Sequence, residues 1–138
     1  MTLLDTNVLI YASDPRSEHC RWARRVISEA VAGDGAAVNA VSLAELCVGD
    51  ADPATVADRI RAWGVQILDV PAAAAEVSAR AYVNYRERRE KGTGRGSPVV
   101  PLPDFFIGAH AQIMGWTLAT ADTDRYKTYF SRVRLKMP

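Results

Sequence analysis

Residues 2–12, TLLDTNVLIYA, decide the fold class. Thr2–Leu4 is a short run that reads as a buried first strand, Asp5 stops it, and Thr6–Ala12 reads as a turn of helix. A strand that hands over to a helix at an acidic residue opens a βα unit, and the rest of the chain repeats the alternation. Further strands are expected at 36–40, 65–68 and 116–120, with RVRLK (132–136) supplying a last one. Between them, residues 17–32 place Trp22, Ala23, Val26, Ile27, Ala30 and Val31 at helical spacing, with Arg21, Arg24, Arg25 and Glu29 on the other face. Ser42 followed by Glu45 has the spacing of a capping box. Pro53 suits the first turn of a helix running to Trp63, a long helix is expected at 72–91, and Asp104 opens another through Met114. GTGRGSPVVPLP (92–103) is a loop, since Gly and Pro are dense and X-Pro steps disfavour helix. The pattern predicts an α/β fold with a mainly parallel central sheet, in one domain spanning 1–138.

Composition bounds the function. Apolar residues make up 49% and charged residues 24%, the balance of a folded globular chain. The net charge of +1 rules out a polycation, so any nucleic-acid binding must rest on local charge. Cys20 and Cys47 have no metal-site spacing and read as free thiols in a reducing compartment, with a disulfide between them the less favoured alternative. The N-terminus lacks the basic and long apolar regions of a signal peptide, and no run approaches the roughly 20 apolar residues that span a bilayer. The expectation is a cytoplasmic protein with no membrane partner.

Four acids sit where apolar runs end or apolar helices begin: Asp5, Glu45, Asp104 and Asp122. In an open α/β sheet, ligands bind beyond the carboxyl ends of the strands, which is where this reading puts all four. Singly, each has an ordinary explanation: a helix N-terminus for Asp104, half of a capping box for Glu45, a turn for Asp5, a solvated loop for Asp122. Converging, they repel, because two carboxylates about 4 Å apart cost roughly 4 kcal/mol at an effective dielectric near 20. One or two divalent ions remove that conflict. An all-oxygen donor set without Cys or His favours Mg²⁺ or Mn²⁺ over Zn²⁺, and paired ions of that kind suit phosphodiester cleavage.

LLDTNVLIYA, SLAEL, PLPDFFIGAHA and TLATADTDRY, in this order, resemble the PIN-domain family and most closely its VapC-type toxins from bacterial toxin–antitoxin pairs. The likeness covers essentially the whole chain and implies a three-layer α/β/α sandwich. It implies a Mg²⁺- or Mn²⁺-dependent endoribonuclease acting on RNA, such as tRNA or another structured RNA. Asp5, Glu45, Asp104 and Asp122 would be the catalytic residues, with Asp5, Asp104 and Asp122 as metal ligands and Thr6, Asn7 and Thr120 as polar support. The T-x-D pattern falls on Thr120 and Asp122, but Asp124 lies two residues on, and either acid can complete the site. The resemblance also implies a cognate antitoxin protein and a homodimer.

Other features carry less. Arg86, Arg88, Arg89, Lys91 and Arg95 form a basic cluster that can contact RNA phosphates or be a solvated face diluted by Glu87 and Glu90. Arg125, Lys127, Arg132, Arg134 and Lys136 form a second. His110, six residues past Asp104, is turned about 240° from it on a helix and is expected to pack or to make a surface polar contact rather than catalyse. Trp22, Trp63 and Trp116 are expected in the core. Two rival functions remain. One is a catalytically silent RNA- or partner-binding module on the same fold. The other is a haloacid-dehalogenase-like phosphoryl-transfer enzyme, which Asn7 disfavours because it stands where that chemistry places a second acid.

Overall fold

A computed structural model describes residues 1–93 and 100–138. Five strands form one sheet: β1 (Thr2–Leu4), β2 (Ala36–Asn39), β3 (Val65–Leu68), β4 (Thr117–Ala119) and β5 (Arg134–Lys136). The order is β3-β2-β1-β4-β5 and every neighbouring pair is parallel. A parallel sheet has both faces covered, so its strands must be apolar on both sides. Leu3, Leu4, Ala36, Ala37, Val38, Leu118 and Ala119 are all fully buried.

Alternation along these short strands divides the core in two. Leu4, Ala36, Val38, Val65 and Ala119 pack with α1 (Thr6–Ser13), α2 (Cys20–Ala32), α3 (Ala40–Val48) and α4 (Val56–Ala62). Leu3, Ala37 and Leu118 pack on the other side with α5 (Ala74–Thr93), α6 (Pro103–Met114) and α7 (Thr123–Tyr129). The result is the expected three-layer α/β/α sandwich.

Local differences from the sequence reading have physical causes. The helix expected from residue 17 begins at Cys20, because Ser17 closes a turn on Asp14 and its hydroxyl accepts the His19 N–H. The capping box at Ser42 does not form. Asn39 ends β2 and caps α3 itself, its side-chain oxygen accepting the N–H groups of Val41 and Ser42 at 3.1 Å each. Ser42 therefore lies inside α3, its buried hydroxyl without a hydrogen-bond partner among the described residues. The helix expected from Pro53 to Trp63 is a 3₁₀ turn, Pro53–Thr55, followed by α4. Pro103 rather than Asp104 opens α6, as suits proline in a first turn. Trp22 is buried and Trp116 half-buried against the His110 ring, but Trp63 is 42% exposed. His110 is buried rather than at the surface, with Nδ1 3.4 Å from the Asn39 side-chain nitrogen, and burial holds its basicity below the usual range.

Gly108 sets how closely α6 approaches the chain after α7. A Cβ built there would stand 2.5 Å from Cδ2 of the buried Phe130. Gly108 lies one turn beyond Asp104, so this contact also fixes the helix that carries that acid. Gly108→Ala should destabilise the protein by about 1–3 kcal/mol through overpacking, read from urea unfolding midpoints. An unchanged midpoint would mean that the Phe130 ring moves aside freely and does not position α6.

Candidate active site

The first strand lies at the centre of the sheet, and the chain runs from it to β2 on one side while β4 lies on the other. That reversal of strand order is where ligands bind in open α/β sheets. Asp5 and Thr120 sit at this point, one residue beyond β1 and β4. The ladder extends past both strands: Asp5 N–H donates to the Ala119 carbonyl at 3.0 Å, and Thr120 N–H to the Lys136 carbonyl at 3.1 Å.

Asp5 is 2% exposed. One carboxylate oxygen accepts the Thr6 N–H at 2.8 Å and caps α1, and the other accepts the Thr120 hydroxyl at 2.8 Å. Burial is the largest influence on its acidity. Burial and the charges of Asp104 and Glu45 outweigh both hydrogen bonds, so the carboxyl is pushed up from 3.8 to about 6.

The other acids come from three separate helices. Glu45, half-buried on α3, accepts the Thr6 hydroxyl at 2.5 Å, so Thr6 links it to the first turn of α1. Asp104, in the first turn of α6, is paired with the Arg125 guanidinium from α7. Burial nonetheless raises the Asp104 pKa, opposed by Arg125 and reinforced by the charge of Asp122. Asp122 stands exposed at the residue before α7 without a side-chain capping bond, and its N–H donates to the Thr120 hydroxyl at 3.0 Å. The Thr120 side chain thus joins Asp5 to the loop that carries Asp122. Asp124 lies two residues on, exposed in the first turn of α7, and Asn7 is half-buried in α1. Electrostatically, Asp5, Glu45, Asp104 and Asp122 form one linked group.

Among the described residues no three His, Cys, Asp or Glu side chains stand together as a ready-made metal cage. The acids are instead engaged by Thr6, Thr120 and Arg125. Their donor chemistry, oxygen throughout, fits a hard divalent cation.

The sequence reading gave two residues at this site no role in it. Arg125 was visible only as part of a basic tail, whereas its guanidinium lies over the Tyr85 ring at 5.8 Å while pairing with Asp104. Tyr126, beside it, is fully buried in the aromatic layer. The only available signal was helical spacing, which places residue 126 one turn beyond Asp122. Of the first basic cluster, Arg88 lies over the Tyr129 ring at 5.7 Å and Arg89 donates to the Tyr85 hydroxyl at 2.8 Å. Arg86 is half-buried, Lys91 is exposed, and Arg95 falls outside the described residues. Of the second, Lys136 pairs with Glu29 at 2.5 Å, while Lys127, Arg132 and Arg134 are exposed.

A groove of about 640 Å³ runs between α1, α3 and α4 with Glu45 on its wall. Leu9, Ile10, Leu46, Ile60 and Trp63 line it, and Ile10 and Trp63 are 47% and 42% exposed. Free thiols at Cys20 and Cys47 agree with the sequence reading. No helix among the described residues is long and apolar enough to cross a membrane.

A family model described as PIN domain matches residues 2–133. Among solved structures, the chain resembles VapBC from Salmonella typhimurium bound to DNA, at 22% identity and a TM-score of 0.66, covering 99% of this chain and 96% of that one. It resembles VapBC2 from Rickettsia felis, bound to a DNA fragment from its promoter, at 18% identity and a TM-score of 0.64 over 99% and 98%. It also resembles VapC20 from Mycobacterium tuberculosis, described as a sarcin-ricin loop cleaving toxin, at 16% identity and a TM-score of 0.61 over 97% and 99%. No match was found among curated proteins.

The raised Asp5 pKa makes stability fall with pH. The folded state keeps the Asp5 proton up to about pH 6, whereas an unfolded aspartate releases it near 3.8. Between those values the native state binds more protons, so stability present below pH 3.8 is lost as pH rises through about 6. The loss should reach at most roughly 3 kcal/mol. Asp5→Asn in metal-free buffer should flatten this slope and be the more stable chain at pH 7, read from urea unfolding at several pH values. Equal slopes in the two proteins would remove Asp5 as the cause.

Proposed function

The chain belongs to the PIN-domain family, and from that we propose that it is a metal-dependent endoribonuclease, the toxin of a toxin–antitoxin pair. The observation that carries this reading is the linked acidic group at the switch point of the sheet. A buried aspartate held largely by hydroxyl and backbone donors, with two further acids acting on it, is costly to keep unless a cation belongs there. The solved relatives described as toxin–antitoxin complexes and as an RNA-loop cleaving toxin support the same assignment.

In this reading Asp5 and Asp104 hold the principal Mg²⁺ or Mn²⁺, one or two ions in all, and Glu45 and Asp122 complete the site. When bound, the ion supplies Lewis-acid polarisation of the phosphodiester and lowers the pKa of water. Thr120 orients the Asp5 carboxylate and fixes the Asp122 loop, and Thr6 orients Glu45. Arg125 balances the charge of Asp104. Arg86, Arg88, Arg89, Lys91 and Arg95 serve RNA phosphates, the sequence-independent part of recognition. No covalent enzyme intermediate is needed.

The antitoxin is a second part of the proposal. The groove beside Glu45 exposes Ile10 and Trp63, large apolar side chains of the kind that anchor a protein partner. A homodimer is proposed on the family likeness.

Purified protein should cut end-labelled tRNA or another structured RNA at discrete positions with Mg²⁺ or Mn²⁺ and not in EDTA. Asp5→Asn and Asp104→Asn should each lower the rate at least about a hundredfold with circular dichroism unchanged, beyond the 10–100-fold typical of losing a supporting partner. RNA binding without metal-dependent cutting would support the silent binding module instead, and cutting that survives in both variants would trace to a contaminating nuclease and remove these acids as its cause. Asp122→Asn should harm the rate more than Asp124→Asn; the opposite ranking moves the fourth acid to residue 124.

A further inference from the structure

The Tyr126 side chain is 0% exposed, and its hydroxyl has no hydrogen-bond partner among the described residues. Buried polar groups rarely go unpaired, and here phenylalanine would fill the same aromatic layer, which already holds Phe105 and Phe130. Packing among the described residues thus leaves the hydroxyl unsatisfied.

Its position points to a partner. Tyr126 lies one turn beyond Asp122 on α7, and aromatic side chains on helices lean back toward the N-terminal turn. Its neighbour Arg125 holds Asp104. The negative charges of Asp5, Asp104 and Asp122 all bear on the Tyr126 hydroxyl. Burial first, and then those charges, push its pKa far up, so the group remains a neutral phenol that can both donate and accept. The phenol thus lies in the field of three carboxylates and is hydrogen-bonded to none of them.

We infer that Tyr126 is a positioning residue of the acidic site, its hydroxyl hydrogen-bonding a water that a divalent cation orders among Asp5, Asp104 and Asp122. Mg²⁺ and similar hard ions keep several of their waters, and a fixed outer partner orients them. This rests on the metal-dependent reading above. It assigns the Tyr126 oxygen a role that packing alone does not require.

Mn²⁺ binding to wild type and to Tyr126→Phe, by isothermal titration and by the loss of the free-ion electron paramagnetic resonance signal, tests it. Thermal unfolding of both proteins in EDTA goes alongside. The expected result is that Tyr126→Phe binds Mn²⁺ about tenfold or more weakly, while unfolding in EDTA at the same temperature or higher. Equal Mn²⁺ affinity would overturn the inference and leave the metal reading standing. Weaker binding together with a lower unfolding temperature in EDTA would assign the hydroxyl to packing and overturn it as well. A wild-type chain with no saturable Mn²⁺ binding would sink the metal reading itself, and the role of Tyr126 with it.

Discussion

Everything at the centre of this molecule is arranged around one carboxylate that burial tries to neutralise. Asp5 follows the middle strand of a parallel sheet, where water is excluded and helices cover both faces. Ionising it there is unfavourable, and two further acids make it more so. Opposing them are the Thr6 N–H at a helix N-terminus and the Thr120 hydroxyl, while the backbone ladder bond to Ala119 holds the residue in place. These are the same contacts that fix where β1 ends and where α1 and the loop after β4 begin. The constraint that sets the chemistry of the site is thus also the joint of the fold.

Support for that joint comes from an aromatic layer on one face of the sheet. Phe105 follows Asp104 directly and packs against Tyr82, Tyr85, Tyr129 and Phe130, with ring centroids 5.2 to 5.9 Å apart. Arg88 and Arg125 lie over Tyr129 and Tyr85 of the same layer. The acids of α6 and α7 are therefore carried on helices locked to each other by rings, which suits a site that must hold like charges near one another. Bulk after Asp104 is packing of this kind.

Much of this was legible in the chain. Parallel strands buried on both faces must be short and apolar, and Leu3–Leu4, Ala36–Val38 and Leu118–Ala119 are that. The acids stand at the ends of such runs, so the topology brings them toward one edge as a matter of course. What could not be read is whatever depends on competition or distant pairing. Asn39 takes the cap that Ser42 and Glu45 seemed spaced to make, because the strand delivers Asn39 to the helix first. Glu45 is thereby left for Thr6, 39 positions away. Arg125 finds Asp104 across 21 positions and a change of helix, which no local spacing signals. Trp63 lies at the end of α4, where its ring opens onto a groove instead of the core.

The sheet's strand order has a temporal side. Of the sheet's strands the central one is made first, yet one of its two neighbours is β4, and Leu4 pairs with Ala119. Until residue 120 has emerged, Asp5 has neither the Ala119 carbonyl nor the Thr120 hydroxyl, and α7 with Asp122 and Arg125 does not exist. Long-range pairings of this kind form late. A nascent chain consequently carries its acids apart until α7 has been made. The site closes only after residues 120–125 have been made, so its acids meet only once the centre of the sheet is complete.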